Sequence, residues 1–140
     1  MVKFTRILVV ASTLLSCLSF GAASGRDAYI EAYSTHVMNN TALLANRFMA
    51  DGMPADQARV RAEEFMQHGI ECHVNSLDEY PQAIQKVMFD VVEGGGSYPD
   101  AESALKIYVA EAQFEGNEAL VEAFAAVTAK GVECLRQWTP

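Results

Sequence analysis

The densest group of chemistry-bearing side chains in the sequence is the run His68-Gly69-Ile70-Glu71-Cys72-His73. On a helix, His68 and Cys72 fall four residues apart on one face, with His73 beside that row. Imidazole nitrogen and thiolate sulfur are both zinc ligands, so the run raises a metal site. It nevertheless matches none of the zinc-helix patterns, which need two histidines four apart or a carboxylate at fixed spacing. No metal is expected, and both histidines are expected to flank a disulfide at the domain surface.

Catalysis finds equally little support. A nucleophile needs a base within hydrogen-bond reach, and the imidazoles are limited to His68, His73 and a solitary His36. Carboxylates pair only as like-charged rows at helical spacing, Asp27 with Glu31, Glu111 with Glu115 and Glu118 with Glu122. Each such pair costs an isolated helix roughly 0.2–0.5 kcal/mol. No catalytic residue is expected, and the chain is read as a non-enzyme. The glutamates read as solvated faces that favour solubility or as an acidic patch for a basic partner, which makes Glu111, Glu115, Glu118 and Glu122 candidate contact residues.

Gly94-Gly95-Gly96 suggests a phosphate cradle but lacks the lysine and the preceding strand that such loops use. No cofactor is expected. The glycines instead form a connector carrying an aromatic, so Ser97, Tyr98 and Asp100 are candidates for partner contact.

The three cysteines divide by position. Cys17 lies in an N-terminal stretch with Lys3 and Arg6, an apolar run from Ile7 to Phe20 and small residues around Ala23, the pattern of a secretory signal peptide covering residues 1–23. The apolar run is too short for a transmembrane helix. Within it Leu14-Leu15-Ser16-Cys17 resembles the bacterial lipobox; by that route Cys17 would carry a lipid and anchor the chain at the outer membrane. Export leaves Cys72 and Cys134 in a compartment where disulfides persist, and they are expected to bridge, closing a loop of about 60 residues. Loss of Lys3 and Arg6 with the leader would take ten basic residues to eight against eighteen acidic ones, and the net charge from −8 to −10. The remaining cations form no stripe, so nucleic acid is not an expected partner.

These residues must be positioned by helices. With 140 residues, 51% hydrophobic and 20% charged, the chain suits one domain, and its apolar spacing is helical nearly throughout. Five segments are expected. The first covers residues 27–51, with Gly52 as a stop and Asn39-Asn40-Thr41 as a weak middle. The second covers 54–75, with Pro54 at the first helical position. The third starts near Tyr80, with Ser76 and Glu79 offering a capping box, and buries Ile84 and Met88. The fourth opens at Ser97-Tyr98-Pro99-Asp100 and turns Ala101, Leu105 and Tyr108 inward. The fifth covers 118–137 with Leu120, Phe124, Val127, Cys134 and Trp138 on one stripe. The 24–140 domain is therefore expected to be all-α, with the disulfide stapling the second helix to the fifth.

Exported, acidic and helical, the chain resembles insect odorant carriers in outline, though these carry more disulfides than one cysteine pair permits. It is similar at the same coarse level to the helical pilot lipoproteins of bacterial secretion and to periplasmic immunity proteins. The expected function is that of a periplasmic or secreted protein that works by binding another protein, as an immunity or inhibitor protein or a secretion-assembly factor does. The alternative is carriage of a small apolar ligand between helices, suggested by Met38, Met49, Met66 and Met88 with Tyr29, Tyr33, Phe48 and Phe65.

Overall fold

A computed structural model describes residues 24–139. The leader and lipobox readings, Cys17 included, lie outside the described residues. The domain is all-α: α1 (Gly25–Met38), α2 (Thr41–Ala50), α3 (Ala55–Ser76), a 3-10 turn (Leu77–Glu79), α4 (Gln82–Glu93), α5 (Tyr98–Phe114) and α6 (Glu118–Arg136).

The first expected segment is two helices, so six α-helices rather than five stand among the described residues. The break falls at the asparagines. Asn40 leaves the helical region at φ −93°, ψ 0°, and its Nδ2 donates to the His36 carbonyl at 2.9 Å. An asparagine side chain offers the backbone such a competing partner, which is why it favours turns over helix interiors. Gly52, at φ +95°, takes the left-handed conformation that follows the end of α2. Helix α2 then packs against α3. Ala45, Ala58 and Ala62 are buried in this half of the fold, and their small side chains allow the backbones to approach closely.

The capping box expected at Ser76 is not formed. Ser76 ends α3, and its hydroxyl donates to the His73 carbonyl at 2.8 Å. The chain instead runs through the 3-10 turn to an extended Tyr80, since proline disfavours a helical residue before it, and Pro81 leads into α4. Arg26 of α1 grips the turn through paired bonds to the Asp78 carboxylate, both 3.0 Å.

Helix α4 packs between α1 and α5, while α3 contacts α1 and α6, and α5 contacts α6. Tyr29, Leu77, Tyr80, Ile84, Met88, Ala101 and Val127 meet at the centre, drawn from α1, the 3-10 turn, α4, α5 and α6 and the residue before Pro81. At the other end of the α3–α6 contact the Cys72–Cys134 disulfide is present, with Cα atoms 5.8 Å apart. Gly69 lies one turn before Cys72, and a Cβ placed there would sit 3.4 Å from the Leu135 side chain. That is ordinary van der Waals distance, so Gly69 simply faces Leu135 of α6 where the bridge forms.

Helix α5 starts with a complete capping box. The Ser97 hydroxyl accepts from the Asp100 backbone N–H at 3.3 Å, and the Asp100 carboxylate accepts from the Ser97 N–H at 2.8 Å. The Ser97 hydroxyl also donates to the Asp100 carboxylate at 2.6 Å, and this bond, followed by that from the Ser97 N–H, holds the Asp100 carboxyl below its ordinary value. Ser97→Ala is expected to lower stability by about 1 kcal/mol, read as an earlier urea midpoint at unchanged slope.

Candidate functional site

His68 stands against the disulfide as expected. Its Nε2 lies 3.0 Å from the Cys134 carbonyl and 3.4 Å from Cys72 Sγ. His68, Cys72 and Cys134 bring three potential ligand atoms within 4.8 Å of one another. Both sulfurs are already bonded to each other, however, and a disulfide sulfur is not the thiolate that a metal takes. The cluster is a braced crosslink.

His73 departs from the expectation that both histidines flank the disulfide at the surface. Five residues along a helix turn the side-chain direction by about 140°, so His73 points away from His68 and into the body. Its Nε2 is 3.0 Å from the Tyr29 hydroxyl, and its ring centroid is 4.1 Å from that of Tyr33. Burial pushes the His73 pKa down to about 4, so the ring is neutral at physiological pH. Burial likewise pushes the Tyr29 hydroxyl up, helped by Tyr98, Tyr33, Tyr80 and Glu102. It takes the Tyr98 hydroxyl to about 12, with Glu102 the next cause. All these rings are uncharged at neutral pH.

The rings line a cavity of about 240 Å3, well above the roughly 10–15 Å3 that one water needs. Tyr29, His73, Tyr80, Met88, Tyr98, Leu105 and Phe124 form its walls, with Thr128 bonded to the Tyr80 hydroxyl at 3.4 Å. Glu102 and Lys106, paired at 2.9 Å, complete the lining; their side chains are 45% and 72% exposed and so mark its solvent side. Of the residues that suggested an internal pocket, the cavity uses Tyr29 and Met88. Met38 and Met49 are exposed, and Phe65 packs edge-on against Trp138.

The connector candidates are placed differently from a free loop. Asp100 is engaged in the capping box, and the Tyr98 ring is half-buried against Tyr29, Tyr33 and His36. The exposed side of Ser97 and Tyr98 borders an open groove with Glu31, Thr35 and His36 of α1.

Glu111, Glu115, Glu118 and Glu122 are all exposed and gather at the α5–α6 turn. Gly116, at φ +77°, reverses the chain there, a backbone conformation that strains any residue with a Cβ. The Asn117 side chain accepts from the Leu120 N–H at 3.3 Å and starts α6. None of the ion pairs among the described residues uses these four carboxylates.

Phe114, between them, was not among the expected contact residues. It ends α5 and is 96% exposed. Its position was legible in the spacing. Phe114 and Ile107 lie seven apart on the side of α5 opposite Leu105 and Ala112, and Ile107 is 61% exposed.

Comparison with protein-family models, with curated proteins and with solved structures gives no match.

Proposed function

We propose that the chain is an exported protein that works by binding another protein, as an inhibitor, immunity protein or secretion-assembly factor does, and that the α5–α6 turn is its contact point. The observation that carries this reading is Phe114, a large apolar side chain 96% exposed at the end of α5, in the same helix–turn–helix as the exposed carboxylates at positions 111, 115, 118 and 122. A solvent-facing phenylalanine gains nothing for folding, whereas an aromatic that enters a partner's pocket is among the residues on which binding depends most. The surrounding charge specifies the complement: an apolar pocket rimmed by lysine or arginine. The net charge of −8 supports steering toward such a surface. The disulfide agrees with export.

Affinity capture with two baits tests this. Wild-type protein should retain one stoichiometric partner from its organism's exported fraction, and Phe114→Ala should weaken that complex about 30-fold, some 2 kcal/mol. Capture undiminished by the substitution at equal bait loading would remove the turn from the interface.

A second reading, carriage of a small molecule, is favoured by the cavity between Tyr29 and Phe124 and does not depend on Phe114.

A further inference from the structure

The cavity is a built space within the helical body, and its chemistry is more specific than apolar. Tyr29, Tyr80, Tyr98 and Phe124 line it from four different segments of the chain, Tyr98 and Phe124 being the more exposed rings, and the negative faces of such rings attract cations. The one carboxylate in the lining is Glu102, half-buried on the solvent side of the cavity. Of the two basic residues there, His73 is hydrogen-bonded to Tyr29 and neutral, so it opposes no incoming positive charge. The other, Lys106, sits one turn along α5 from Glu102, with its side chain 72% exposed. Its ammonium can therefore return to water and leave the carboxylate to a ligand.

We propose that this cavity binds a small organic cation, a quaternary or tertiary ammonium with an apolar body, held by the tyrosine and phenylalanine rings and charge-paired with Glu102 in place of Lys106. The proposal rests on the carrier reading and names its ligand class. A neutral apolar molecule would fill the same space but leave the Glu102–Lys106 pair as it is. An anion would meet the Glu102 carboxylate. The overall negative charge raises the local concentration of cations around the molecule.

Titration calorimetry of the folded, oxidised protein with choline and with its uncharged tert-butyl isostere tests both levels. Choline is expected to bind at one site and at least about tenfold more tightly than the isostere. Glu102→Gln should abolish that preference. Lys106→Gln, which removes the internal competitor, should strengthen choline binding several-fold. Both substitutions lie on the solvent side, and circular dichroism should show the wild-type helix content. Equal binding of the two probes would overturn the cation proposal while leaving carriage standing. Binding of neither would overturn both. A choline affinity unchanged in Glu102→Gln would place the ligand elsewhere.

Discussion

Replacing Cys72 and Cys134 together by serine is expected to lower the stability of the domain by about 4 kcal/mol. The bridge joins residues 62 apart in sequence, and removing a closed loop of that length from the unfolded chain changes its entropy by that order. For a domain this size the melting temperature should fall by about 15 °C. Reduced wild-type protein should behave like the double variant, because the loss lies mainly in the constraint on the unfolded state. The contact it spans supports this assignment. Gly69 already faces Leu135 between α3 and α6, and Phe65 and Arg61 pack on Trp138, the guanidinium 5.5 Å from the indole centre. Thermal and urea unfolding of the oxidised, reduced and double-serine forms measure the difference. A loss under about 1 kcal/mol would mean that packing alone secures α6.

The second large effect is a loss of stability in mild acid centred on His73. Its pKa is about 4 in the folded domain and 6.5 when free. Between these values the unfolded chain binds a proton that the folded one refuses, so stability is full above pH 6.5 and declines as the pH falls toward 4. The total is on the order of 3 kcal/mol. A charged His73 would sit against Tyr29 and Tyr33 with its Tyr29 contact rearranged. His73→Gln keeps a hydrogen-bonding partner for the Tyr29 hydroxyl and removes the titration. Urea unfolding at pH 7 and at pH 4.5 should show a marked drop for the wild type and a much smaller one for His73→Gln. Equal drops in both proteins would assign the acid sensitivity to carboxylates.

The two histidines also show how far the sequence reaches. His68 and Cys72 are four apart on one helical face, and the structure keeps them together beside Cys134. His73 is next to Cys72 in sequence, but its direction is shared with Ile70, Ser76 and Leu77, all buried. Reading the helix by angle rather than by adjacency finds it. The inward Ala58, Ala62, Ile84, Met88 and Ala101 and the glycine stop at position 52 follow from local spacing, whereas the disulfide follows from the cysteine count once Cys17 is assigned to the leader. The division of α1 from α2 was present in Asn39-Asn40 as a weak middle, yet whether a helix bends or stops there depends on what the next segment packs against. Here α2 finds its partner in α3. The cavity is less legible still. Its lining comes from α1, α3, α4, α5, α6 and the residue before Pro81, and no single-helix pattern shows which rings converge.

The central claim is that Phe114 and the carboxylates around it meet a partner. Site-specific photocrosslinking tests it most directly, with a photoreactive residue placed at position 114 in one protein and at the exposed Val60 of α3 in another. Each would be irradiated in the organism's own exported fraction. Position 114 should give one dominant crosslinked protein, its attachment site bordered by lysine or arginine, and position 60 should not. The same products from both positions, or none from position 114, would contradict the account.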